Sequence, residues 1–126
     1  MPQNSDLIVF LYTQDLEGTQ KFYEEVLGLK CTVDQIEHKA FRISENSFVG
    51  FSYRPNITFT QPRGICISIV SDYVDEWYEE LLNKGIQIEK SPSIDPKTNI
   101  YNFFFRDNNN YIIEIQKFLD SNWKSK

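Results

Sequence analysis

Residues 22–27 read Phe-Tyr-Glu-Glu-Val-Leu, and residues 77–82 read Trp-Tyr-Glu-Glu-Leu-Leu. Each copy lies in a stretch with helical spacing that ends at a glycine, Gly28 or Gly85, and each is followed by β-rich sequence. A pattern repeated at about half the chain length points to one structural unit used twice. Two copies of a unit create a surface that neither has alone, and that surface is where function is sought.

Working outward from the first copy, Asp6 to Thr13 is a strand with Leu7, Val9 and Leu11 on one face and Ile8, Phe10 and Tyr12 on the other. Both faces are apolar, as in a buried strand. Asp15 is placed to cap the helix that follows, whose inner stripe is Leu16, Thr19, Tyr23, Val26 and Leu27. Gly28 supplies its left-handed stop. Strands are predicted near 29–34, 38–44 and 48–53, so the first unit reads β-α-β-β-β.

Residues 54–63 hold two prolines and read as a connection. The order then restarts. Gly64 to Val70 is a strand, and Asp72 is placed to cap a helix with the stripe Val74, Trp77, Tyr78, Leu81 and Leu82. Strands are predicted near 86–90, 99–106 and 111–118. The turn Asp107-Asn108-Asn109-Asn110 joins the last two, since asparagine tolerates left-handed geometry. The expected architecture is α+β: two βαβββ modules, about 6–53 and 64–118, with a tail at 119–126. One helix covers the outside of each sheet, and the curved mixed sheets form a cleft.

Composition bounds the rest. The 126 residues are 40% hydrophobic and 25% charged, which describes one ordinary globular domain. A net charge of −5 with scattered basic residues argues against nucleic acid, which needs a concentrated basic surface. Cys31 and Cys66 are too few for a disulfide framework. The start, Met-Pro-Gln-Asn-Ser-Asp, lacks the regions of a signal peptide, and no apolar run approaches a membrane span. Asn56-Ile57-Thr58 matches a glycosylation sequon by chance, because the expected location is cytoplasmic.

Asp15-Leu16-Glu17, Phe22-Tyr23 and Val26-Leu27-Gly28-Leu29 sit at the spacing of a known strand–helix signature, and Val74-Asp75, Trp77-Tyr78, Leu81 and Gly85-Ile86 repeat it. Phe105 to Ile115 looks like a closing hairpin in which the usual Asp-Pro-Asp-Gly-Asn turn has become Asp-Asn-Asn-Asn-Tyr. On these residues, from about Leu7 to Phe118, the chain resembles the vicinal oxygen chelate superfamily of glyoxalases, bleomycin-resistance proteins and extradiol dioxygenases. The resemblance implies a divalent metal held by two His and one or two Glu from the first and last strands of each unit. It also implies a homodimer. The matching positions here are Ile8, Phe51, Cys66 and Glu114, of which Glu114 alone keeps a usual ligand. Neither Ile8 nor Phe51 can coordinate, and a lone thiolate suits hard cations poorly. No bound metal or other cofactor is therefore expected. His38, the single histidine, falls outside these positions.

Strand alternation gives an expected cleft face. It comprises Ile8, Phe10 and Tyr12; Val49, Phe51 and Tyr53; Cys66, Ser68 and Val70; and Ile112, Glu114 and Gln116. From these, Phe10, Tyr12, Phe51, Tyr53, Cys66, Ser68 and Glu114 are the candidate ligand-binding residues. Phe10 and Phe51 can equally be core filling, and Cys66 can be a small buried hydrophobe. A carboxylate on a central strand must be paired or hydrogen-bonded. For Glu114 the candidate partners are Arg106, Arg42, Tyr12 or a cationic ligand, and its role is ligand contact or a structural relic of an ancestral site. Three functions follow, of which one is a regulatory or interaction module that uses the fold as a dimer platform, and the other two involve a small molecule. One is non-catalytic sequestration of an aromatic or cationic small molecule, in the manner of drug-binding family members. The other is a glyoxalase- or dioxygenase-like enzyme with a non-standard or metal-free site, using Glu114 as general base. Binding is preferred, because no catalytic dyad or phosphate loop is present in the sequence.

Overall fold

A computed structural model describes residues 5–57, 64–120 and 122–123. Most of the predicted 54–63 connection, including the last residue of the sequon, and part of the 119–126 tail therefore lie outside the described residues, as do residues 1–4 of the N-terminal stretch. The chain divides into two compact units between residues 61 and 62.

The first unit runs β1 (Leu7–Thr13), α1 (Leu16–Lys21), a π-helical turn (Phe22–Val26), β2 (Lys30–Asp34), β3 (His38–Ser44) and β4 (Ser47–Tyr53). The second runs β5 (Cys66–Val70), α2 (Val74–Asn83), β6 (Ser93–Asp95), β7 (Ile100–Arg106) and β8 (Ile112–Phe118). Each unit is one four-stranded sheet, ordered β1-β4-β3-β2 or β5-β8-β7-β6. The helix carries the chain from the first strand to the far edge, and two antiparallel steps bring it back. The last strand thus lies parallel to the first, with Phe10 beside Gly50 and Ser68 beside Glu114. The expected βαβββ order is present in both units. The antiparallel neighbours are joined by short connections, while the parallel pair of each unit is separated in sequence by the helix and two strands, consistent with the long connection that parallel strands require.

Local signals explain the boundaries. The Asp15 carboxylate accepts the Gly18 amide at 2.8 Å and caps α1. Gly28 and Gly85 adopt φ of +71° and +82°, closing the helical segments where a side chain would be strained. The repeated hexapeptide is wound differently in its two copies. In the second it continues an α-helix; in the first it widens into the π turn, with Leu27 N–H donating to the Phe22 carbonyl at 3.2 Å. Tyr23, fully buried, stacks on Phe41 at 5.3 Å and meets Phe51 at 4.9 Å between ring centroids. The equivalent ring of the second copy, Tyr78, meets Phe103 at 5.4 Å from an α-helical turn, so the two copies seat their tyrosines on the sheet with different windings. In the second unit Val74, Leu81, Phe103, Phe105, Ile113 and Ile115 form the core.

Three expectations are corrected. Asp72 does not cap α2; Ser71 Oγ instead accepts the Tyr73 amide at 3.0 Å. The strand expected at 86–90 is not formed, and the short β6 starts at Ser93, immediately after Pro92, pairing with Asn102. Alternation of Ile86 and Ile88 with polar residues mimicked a strand, but no ladder partner exists for this segment. Finally, Val49 and Phe51 lie on the helix side of their sheet, where Phe51 is fully buried. The ladder sets Gly50, not Phe51, beside Phe10 on the opposite face.

Candidate functional site

On the second sheet the face away from α2 is polar at its centre. Ile113 and Ile115 point to the helix and are fully buried, so Glu114 and Gln116 point away from it. Ser68 stands beside Glu114 on β5, and Phe104 stands opposite it on β7. The Glu114 carboxylate accepts Asn102 Nδ2 at 2.7 Å on one oxygen and Gln116 Nε2 at 3.1 Å on the other. Gln116 Nε2 also donates to Ser68 Oγ at 2.5 Å. These neutral amides replace the arginine or tyrosine partners expected from the sequence. Arg106 donates to the Asn110 carbonyl, Arg42 to the carbonyls of Ser44 and Glu45, and the Tyr12 ring carries the Arg54 guanidinium at 4.9 Å. Among the described residues no lysine or arginine forms an ion pair with Glu114. Gln116 Oε1 is buried and accepts no hydrogen bond from another described residue.

Cys66 lies on the same face and is exposed, contrary to its reading as a small buried hydrophobe. Partial desolvation and then the Glu114 charge push its thiol above the ordinary range. It stays protonated at neutral pH, which makes it a poor nucleophile and a poor metal ligand.

The first unit places its candidates differently. Phe10 and Tyr12 share the face away from α1, both partly exposed. The Phe10 ring lies directly over Gly50, where an added Cβ would sit 2.7 Å from it. Its edge meets His38 at 5.8 Å, and His38 Nδ1 bonds Ser52 Oγ at 2.9 Å. Phe51 and, by alternation, Tyr53 belong to the opposite side, so of the aromatic candidates expected on this face Phe10 and Tyr12 remain there. Cys66, Ser68 and Glu114 are brought together as expected. Asn102 and Phe104 were not singled out as site residues; their alternation with Phe103 and Phe105 carried the signal, but pairing with Glu114 needed the β7–β8 register.

A groove of about 730 Å³ opens on this face of the second unit. Cys66, Asn102, Phe104 and Ile112 line it from the sheet, Arg106 and Asn110 from the closing hairpin, and the 85–93 segment forms its far wall. The hairpin itself is held by Asp107, buried, whose carboxylate accepts the amides of Asn109 and Tyr111 at 2.8 and 2.9 Å. Asn110 takes the left-handed φ of +70° expected of this turn.

The metal set implied by family resemblance does not fit these residues. Ile8 has no donor, Phe51 is turned into the core, and the Cys66 thiol is held protonated. Among the described residues no three His, Cys, Asp or Glu side chains are grouped to hold a metal ion.

A family model described as Glyoxalase/Bleomycin resistance protein/Dioxygenase superfamily matches residues 7–115. Solved structures share the fold. A lactoylglutathione lyase from Agrobacterium tumefaciens superposes with a TM-score of 0.72 at 20% identity, over 93% of this chain and 96% of that one. A virulence protein from Salmonella typhimurium gives 0.71 at 21% identity, over 94% and 99%. An integron cassette protein from the mobile metagenome of a Halifax Harbour sewage outfall gives 0.75 at 17% identity, over 92% and 99%. With the βαβββ order present in both units and the family model spanning nearly all of both, the chain belongs to the glyoxalase, bleomycin-resistance protein and dioxygenase superfamily.

Proposed function

We propose that this chain is a non-catalytic binding protein for a small aromatic molecule with a cationic end, seated at Glu114. The observation that carries this reading is the way the carboxylate is held. Two neutral amides orient it, and no basic side chain among the described residues neutralises it. A carboxylate offers about four acceptor sites, so two remain for a ligand ammonium. Phe104, half exposed opposite Glu114, supplies a ring face beside it. The chain's net charge of −5 steers cations inward over distances of about a Debye length.

Catalysis is disfavoured by the same residues. The Cys66 thiol is kept protonated by partial burial and the Glu114 charge, and the donor set does not suit a Lewis-acidic metal. Homodimerisation belongs to the proposal, supported by the exposed apolar side chains Leu7 and Val9 on the edge strand β1. No helix among the described residues is long and apolar enough to cross a membrane.

The test is titration with benzylamine, followed by backbone amide NMR. Shifts should concentrate at Ser68, Asn102, Glu114 and Gln116, and Glu114→Gln should weaken binding about tenfold, the effect of losing one charge-assisted contact. Unchanged affinity in the Glu114→Gln protein would sink the proposal.

A further inference from the structure

Glu114 stands just outside the groove, opposite its lining residue Phe104, and the groove itself carries charge of the opposite sign. Arg106 follows Phe104 by two residues on β7, so its Cα lies about 7 Å further along the sheet from the point facing Glu114. It spends one guanidinium N–H on the Asn110 carbonyl and has four further donors. Lys90 stands on the far wall and forms no ion pair within the described residues. Glu89 is the single carboxylate among the lining residues, so the lining has a surplus of one positive charge in a chain of net −5. Two apolar side chains accompany these charges: Phe104, half exposed, stands opposite Glu114, and Ile112 stands opposite Arg106. Ser91, Ser93 and Asn102 add neutral polar atoms along the walls.

We infer that the ligand is a zwitterion whose ammonium end meets Glu114 and whose anionic end meets Lys90 and Arg106, with a flat apolar body over Phe104. This rests on the reading of Glu114 given above and narrows it to a dipolar ligand. A singly charged cation satisfies Glu114 but leaves the guanidinium and ammonium facing an apolar body, which forfeits their charge-assisted contacts. Equally, a simple anion is repelled by the uncompensated carboxylate. Discrimination thus comes from Glu114 on one side and from the basic residues of the adjoining groove on the other, by attraction and by repulsion.

Three probes of one shape separate the contributions: 4-(aminomethyl)benzoate, benzylamine and benzoate, titrated into the full chain by NMR. The zwitterion should bind about tenfold more tightly than either singly charged probe. Lys90→Gln, on an exposed segment, and Arg106→Gln should each remove much of its advantage over benzylamine, and Glu114→Gln its advantage over benzoate. If the zwitterion binds no better than benzylamine while Glu114→Gln still weakens both, the dipolar ligand is refuted and the Glu114 reading survives. If Glu114→Gln changes nothing while Lys90→Gln weakens benzoate, both readings of the ligand fall and an anion site alone is left. No binding of any probe at millimolar concentration overturns the inference as well.

Discussion

Phe51 and Phe10 occupy neighbouring strands, and replacing each with alanine should have very different consequences. Phe51 is fully buried, with its ring centroid 4.9 Å from that of Tyr23 and 6.3 Å from that of Phe41. Its truncation removes the transfer free energy of the ring and leaves a cavity among rigid aromatic neighbours, at a cost of about 3–5 kcal/mol. Phe10 is 42% exposed. Scaling the roughly 1.5–3 kcal/mol for full burial of such a side chain by its covered fraction gives about 1–2 kcal/mol, with no closed cavity. In urea, with a slope of about 2 kcal/mol/M, the midpoint should fall by roughly 1.5–2.5 M for Phe51→Ala and 0.5–1 M for Phe10→Ala. Far-UV circular dichroism reads the transition, and Phe51→Leu provides a milder variant should the alanine protein fail to accumulate. A Phe51→Ala protein no less stable than Phe10→Ala would refute the face assignment of β4. It would also return Phe51 to the list of candidate site residues, because a ring with so small a packing contribution is free to face a ligand.

Two further outcomes follow from the second unit. The Glu114 charge helps hold the Cys66 thiol protonated, so Glu114→Gln should lower the thiol pKa towards its ordinary value. The sign is set by the acid: removing a nearby negative charge favours the thiolate, and alkylation by iodoacetamide at pH 8 should accelerate in a Cys31→Ser background. An unchanged rate would show that Glu114 does not act on this sulfur. Nickel, manganese, zinc and iron(II), offered in turn, should neither bind at one equivalent by calorimetry nor raise the melting temperature. Micromolar stoichiometric binding abolished in Glu114→Ala would instead make this chain a metalloprotein and restore the enzymatic reading.

Glu114, Cys66 and Ser68 were legible as a group because they lie near the middle of strands whose alternation is regular. With Ile113 and Ile115 apolar on either side, the carboxylate can face only away from the helix. Phe51 was misplaced because β4 is apolar at Phe48, Val49 and Phe51, so alternation does not choose a face. The choice is made by Gly50, whose missing side chain admits the Phe10 ring, and by Tyr23 packing on Phe51. The partners of Glu114 were missed because Asn102 and Gln116 become neighbours only through the β7–β8 ladder.

The sequence by itself determined the duplicated βαβββ order, the helix stops at Gly28 and Gly85, the Asp15 cap and the family. Each of these depends on residues within a few positions of one another, where backbone sterics and side-chain period decide the outcome. Tertiary structure alone decided the π turn in one copy of the repeat, the irregular course of the 85–92 segment, and the neutral amides around Glu114. Those features depend on which residues from distant strands come to lie side by side, and local chemistry does not encode that register.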